Sequence, residues 1–218
     1  MRKQLALLSI GIMVVVGGVA AFSAFEAHVI NVTAHIENAL YVHDDEISFG
    51  TVFPQEYLTR DFTVGLSGSF VSSNRTDVVS YHIVQKPKCV NKDGQYAPVN
   101  YWDEECPEGY TAMPSLCPYL SETPKYIDDS PYTDHGIPAF HDPATSIATG
   151  TINKDHDILD EWIIDLAVPC FNGMCAQDWP SFVASHNAGA KPQDYVLPAN
   201  QEGSNFGCDL WIEPTNIY

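Results

Sequence analysis

The chain has 218 residues, 45% of them hydrophobic and 11% aromatic, enough for one packed domain and too much for wholesale disorder. Its 28 acidic residues against 10 Lys and Arg give a formal charge of −18. That balance repels phosphate backbones and anionic lipid, so nucleic acid is excluded as a partner, while solubility and hard-cation binding are favoured.

The first element is a targeting segment. Met1-Arg2-Lys3 is a positive start, and Leu5 to Ala21 is an almost unbroken apolar run. Gly18/Ala20 or Val19/Ala21 supply the small residues that a signal peptidase needs, so the cut is expected after Ala20 or Ala21. The alternative is an uncleaved membrane anchor, since a run of about 17 apolar residues lies near the lower limit for a span. Residues 1–21 are therefore read as a signal peptide or anchor, and residues 22–218 as one domain, secreted or held at the cell surface. Contact with a membrane is expected only through an uncleaved N-terminal segment.

Strand patterns follow. In Val29 to Ile36, Ile30, Val32, Ala34 and Ile36 fall on one face, with Asn31, Thr33 and His35 on the other. Ile47 to Val52 reads as a second short strand with a kink at Gly50, followed by a turn at Pro54-Gln55-Glu56. From Leu58 to Phe70 the alternation places Phe62, Val64, Leu66 and Phe70 inward. A polar turn over Ser72 to Asp77 leads to a strand over Val78 to Gln85, with Val79, Tyr81 and Ile83 on its buried face. Residues 86–157 are rich in Pro, Gly, Tyr, Asp and Cys and read as a long, loop-rich insertion stabilised by disulfides. Glu161 to Val168 is apolar on nearly both faces and reads as a central strand. Asp178 to Ser185 predicts a short helix with Asp178 as N-cap and Pro180 in the first turn. Phe206 to Glu213 closes the pattern as a strand with Phe206, Cys208, Leu210 and Ile212 on one face. Short strands without βα alternation predict an all-β fold, a jelly-roll or immunoglobulin-like β-sandwich with the insertion at about 86–157.

Three pieces carry a resemblance. The apolar leader runs into Ala20-Ala-Phe-Ser-Ala-Phe, the pattern Ile30-Asn-Val-Thr-Ala-His-Ile follows, and then come Ile47-Ser-Phe-Gly-Thr-Val-Phe-Pro-Gln-Glu and Thr59-Arg-Asp-Phe-Thr-Val. Together they resemble the TasA/camelysin group of secreted proteins over roughly residues 1–85. The resemblance implies a dedicated signal peptidase, a jelly-roll sandwich, and biofilm or surface fibres in which the N-terminal strand of one subunit completes the sheet of its neighbour. Members of that group are not typically rich in cysteine, so the middle of this chain departs from the pattern. Camelysins have been described as metallopeptidases, but no HExxH is present to carry such an activity over.

The six cysteines are Cys89, Cys106, Cys117, Cys170, Cys175 and Cys208, an even number in an exported chain, which points to disulfides with fifteen possible connectivities. Cys170 and Cys175 bracket a tight loop around Asn172-Gly173, and Cys106 and Cys117 bracket a Pro/Gly-rich loop, so both are expected pairs. Asn153, Asp155 and Asp157 have the alternating oxygens that begin a calcium loop, without its glycine at the sixth position or its acid at the twelfth. Calcium is the one cofactor left open, and a solvated acidic turn is the competing reading. His135 and His141 are too irregularly spaced for a zinc motif. With no GxSxG and no HExxH, no catalytic residue is assigned. The reading is a non-enzymatic structural protein that self-associates or binds extracellular proteins. A secreted immunoglobulin-like binding module, with the Cys89–Cys175 region as its recognition surface, is the alternative, and a metallopeptidase comes third.

Overall fold

Alternating apolar and polar side chains make the strands, and two sheets of them close over one core. The computed structural model describes residues 34–43, 46–98, 105–126 and 134–218. The predicted strand Val29–Ile36 lies outside these except for residues 34–36, which are exposed and not in a strand. The expected signal segment, with Ala20 and Ala21, lies outside them too. The strands are β1 (Leu40–Val42), β2 (Tyr57–Leu66), β3 (Val78–Pro87), β4 (Cys89–Asn91), β5 (Tyr110–Ala112), β6 (Leu120–Pro124), β7 (Ala148–Asn153), β8 (Leu159–Ala167) and β9 (Cys208–Ile217). Among the described residues two short α-helices, α1 (Gly68–Ser72) and α2 (Trp179–His186), and three 3-10 turns accompany them.

The two main sheets have the orders β1-β2-β8-β6 and β7-β3-β9, and β4 pairs with β5 in a separate two-stranded ribbon, with every pairing antiparallel. The inward rows of β2 and β3 are those the alternation predicts. Phe62, Val64 and Leu66 of β2 and Trp162, Ile164 and Leu166 of β8 meet Val79, Tyr81 and Ile83 of β3, all buried in one core. Burying each such side chain contributes about 1.5–3 kcal/mol before chain entropy is counted. β8 lies between β2 and β6, the central place that its two apolar faces predict. The all-β sandwich expected from the sequence is therefore present.

A short bridge stitches the two sheets along one side. His135 pairs with Thr149 of β7, and Ile137 pairs with Glu122 of β6. The residue between them is Gly136, where a Cβ would overlap the Glu122 carbonyl oxygen, so only glycine allows the chain this close. The disulfide Cys117–Cys208 adds a covalent tie between the turn before β6 and the start of β9.

Several expectations are corrected. Ile47 to Val52 is not a strand. Gly50 takes a left-handed conformation (φ 70°) that interrupts extended backbone, although Ile47, Phe49 and Val52 still pack partly on the core. The alternation from Leu58 ends at Leu66. Ser67 then caps α1 by accepting the Phe70 N–H, so Phe70 is buried from a helix rather than a strand. The stretch 86–157 holds four strands, and two of them, β6 and β7, belong to the main sheets. β6 was hidden because its inward row includes a charged residue type, Glu122. β7 was hidden because Gly150 stands in its inward row, where the ring of buried Tyr81 takes the space of a side chain.

Candidate functional site

The cysteines set the frame. Cys170 pairs with Cys175 as expected, but Cys106 pairs with Cys89 and Cys117 pairs with Cys208. The expected Cys106–Cys117 pair is thus overturned. Local spacing suggested it, whereas the ladder of β3 and β9 brings Cys208 opposite Pro87 and within reach of Cys117. No cysteine is free.

β9 is an edge strand: among the described residues it is laddered with β3 alone. Its inward residues Cys208, Leu210 and Ile212 pack on the core but are only partly covered, whereas Gln85 and Ile83, opposite Leu210 and Ile212, are buried. On its outer face, charges fasten it to β3. Glu213 accepts from Lys86 Nζ at 3.2 Å and lies 2.9 Å from His82 Nε2, and Lys88 Nζ donates to Asp209 at 3.0 Å. The bond to His82, and then Lys86, hold the Glu213 carboxyl below its ordinary range. The Lys86 ammonium also sits 3.7 Å from the centre of the Trp211 ring. Pro214 interrupts the register opposite Tyr81, where the ladder shifts. A proline removes a donor and is tolerated at an edge.

Two buried polar groups lie inside the sandwich. Tyr81 O–H donates to Asp160 at 2.6 Å, and the Trp162 indole N–H donates to the Tyr81 oxygen at 2.7 Å. Burial, reinforced by the charge of Asp160, pushes the Tyr81 hydroxyl far above its ordinary value, so it stays a donor. In the second group Gln85 bridges Glu122 and His141. Neither is legible in the sequence. Alternation marks Tyr81 as inward, but both of its partners lie on β8, 79 and 81 residues away. On the outer face of the larger sheet, the Asp165 carboxylate accepts from Thr59 at 2.7 Å and Ser121 at 3.2 Å, joining β2, β8 and β6.

The calcium candidates lie in the turn between β7 and β8. Asn153 Oδ1 accepts the Asp155 N–H and Asp157 Oδ1 accepts the Leu159 N–H, so these oxygens shape the turn. Among the described residues no group of three His, Cys, Asp or Glu side chains is placed to hold a metal ion. His135 is exposed, whereas His141 is buried beside Gln85. Beneath α2, Phe140 adopts φ 58° while fully buried, an uncommon combination for a bulky residue. Its N–H donates to Pro118 and its carbonyl accepts from Asn187, and edge-on contacts with Tyr119, Trp179, Phe182 and Tyr195 hold the ring. No protein-family model matches the chain, and the comparisons with curated proteins and with solved structures gave no match.

Proposed function

We propose that the chain is an extracellular or cell-surface structural protein that self-associates by strand addition, the Val29–Ile36 segment of one copy pairing with the β9 edge of the next. The observation that carries this reading is the edge itself. β9 is laddered on one side among the described residues, with Leu210 and Ile212 incompletely covered. An added strand would gain main-chain hydrogen bonds and cover those two side chains. Pro214 confines the pairing to Asp209–Glu213, about half of the strand. Ile36, the last apolar residue of the proposed donor pattern, is 88% exposed. Three disulfides fit an oxidising compartment, and no helix among the described residues is long and apolar enough to cross a membrane.

Electron microscopy and size-exclusion chromatography of the mature protein test the proposal. Filaments or concentration-dependent oligomers that vanish on deletion of residues 22–36 are expected. Monomers at every concentration, unchanged by the deletion, refute it. The second reading, a secreted binding module, is favoured by Tyr96, Tyr126 and Met174, which are 56%, 67% and 54% exposed within the Cys89–Cys175 region.

A further inference from the structure

Three polar side chains from three segments form a row inside the sandwich. Glu122 projects inward from β6 with no exposed surface, and Gln85 of β3 and His141 are each 5% exposed. Gln85 Nε2–H donates to Glu122 Oε1 at 2.5 Å, and Gln85 Oε1 lies 3.1 Å from His141 Nε2. At the two ends of the row, Glu122 Oε2 and His141 Nδ1 have no hydrogen-bond partner among the described residues. A separated carboxylate and imidazolium would be costly here, because neither charge has enough donors or acceptors to replace its water.

An amide has two ends of nearly equal shape, so the row accommodates two proton arrangements. With the amide as described, Gln85 donates to a carboxylate and accepts from a ring N–H. With the amide turned over, a protonated Glu122 donates to the Gln85 oxygen, and Gln85 N–H donates to the bare Nε2 of a neutral ring. If the ring in the first arrangement is an imidazolium, the two hold the same number of protons. They differ only in where one proton sits.

We propose that Glu122 and His141 hold one proton between them in the folded protein, with the Gln85 amide oriented to match whichever group carries it. Burial favours the neutral arrangement. It pushes Glu122 up to about 7, against the single hydrogen bond from Gln85, and draws His141 below its ordinary 6.5. The nearby Pro138 carbonyl and the Asp142 charge oppose the second effect, though no acceptor meets Nδ1 at hydrogen-bond geometry. The surroundings are otherwise apolar or turned away. β8 places Ile164 opposite Glu122 and sends Asp165 to the outer face, and the bridge places Ile137 opposite Glu122. Tyr119, just before β6, is itself pushed up to about 12 by burial and remains neutral.

The consequence is a folding reaction without proton exchange. Between about 4.5 and 6.5, the ordinary values of the two groups, the unfolded chain carries an ionised Glu122 and a charged His141, one proton for the pair. The folded row also carries one, moved to the carboxyl. The pair therefore adds no pH dependence to stability in that window. Each partner alone would add a slope of opposite sign. Glu122 alone, raised in the folded state, gives stability that falls as pH rises from about 4.5 to about 7. His141 alone, lowered in the folded state, gives stability that falls as pH drops below 6.5.

Urea unfolding of the mature protein across this window, for the wild type, Glu122→Gln and His141→Asn, tests the inference. Relative to the wild-type curve, in which the other titrating groups cancel, stability of Glu122→Gln should climb with pH and that of His141→Asn should decline. Each should change the unfolding constant by up to about tenfold per pH unit. Nitrogen NMR of the wild-type His141 ring at pH 5.5 should report a neutral imidazole, and it needs no variant to fold. Parallel curves for all three proteins, or an imidazolium at His141 at pH 5.5, would overturn the proposal.

Discussion

Replacing Tyr81 by Phe removes one oxygen from the centre of the core and keeps the outline of the ring. Tyr81 is 1% exposed, and its hydroxyl ties β3 to β8 across the core: it donates to Asp160 at 2.6 Å and accepts from Trp162 of the same strand at 2.7 Å. A hydrogen bond to a charged group is worth about 1.5–3 kcal/mol net, and a buried indole N–H left without its acceptor costs about 1–3 kcal/mol. Asp160 and Trp162 are 9% and 0% exposed, so water does not readily replace the lost partner. The two losses share one oxygen and are not fully additive, which gives about 3–4 kcal/mol for Tyr81→Phe. In a domain of this size that lowers the melting temperature by on the order of 10 °C. Urea unfolding should show a lower midpoint at unchanged m. A cycle with Asp160→Asn should return a coupling of at least about 1 kcal/mol, since the two groups are in direct contact. A loss below about 1 kcal/mol for Tyr81→Phe would refute the reasoning, because it would mean that the hydroxyl and its partners are already satisfied in some other way.

Removing the Cys117–Cys208 disulfide as Cys117→Ser/Cys208→Ser opens a link across 91 residues and should cost about 3–5 kcal/mol, measured by denaturant unfolding under oxidising conditions. The same exchange at Cys170 and Cys175, five residues apart, should cost clearly less. Gly150→Ala places a methyl group where the Tyr81 ring lies, and that ring is held by its two hydrogen bonds, so a loss of about 2–3 kcal/mol is expected in calorimetry. The Lys154 ammonium donates to the carbonyls of Ser73 and Thr76 at 2.6 and 2.7 Å and pairs with Asp77 at 2.6 Å. Lys154→Met keeps the stem and removes those bonds, and should lower stability by about 1–3 kcal/mol in the same assay.

The sequence was most legible where alternation is strict. The inward rows of β2 and β3 are those that period-two reading selects, β8 takes the central place its apolar faces predict, and α2 begins at Trp179, directly after the expected cap Asp178, although that side chain makes no cap bond and instead accepts from Gln55. Legibility failed where a strand's inward row holds something other than an apolar side chain. Glu122 in β6 and Gly150 in β7 each broke the pattern, and each is explained only by a partner distant in sequence: Gln85 for the carboxyl and Tyr81 for the missing side chain. The reverse error occurred at Ile47–Val52, where apolar residues pack on the core without a neighbouring strand. Disulfide partners were readable only for Cys170 and Cys175, whose loop is local. Pairing Cys117 with Cys208 required the β3–β9 register, which no local pattern encodes.

The same register bears on the proposed assembly. An exposed strand invites any chain to pair with it, and proteins guard such edges with charges and proline. β9 has both guards, yet they are placed unevenly. Pro214 and the residues after it lie in the exposed half, while Glu213 is drawn onto β3 by His82 and Lys86, and Asp209 pairs with Lys88 just past the end of β3. The half that precedes Pro214 keeps the apolar pair Leu210 and Ile212, and its start is fixed by the Cys117–Cys208 bond and by the pairing of Gly207 with Ser115. An acceptor edge held in place at one end loses less entropy on receiving a strand than a free one. On the proposed reading, oxidation therefore prepares the edge before any partner arrives. Assembly by the Cys117→Ser/Cys208→Ser protein should then be weaker than wild type even at temperatures where both are fully folded, and equal assembly would separate the disulfide from the edge.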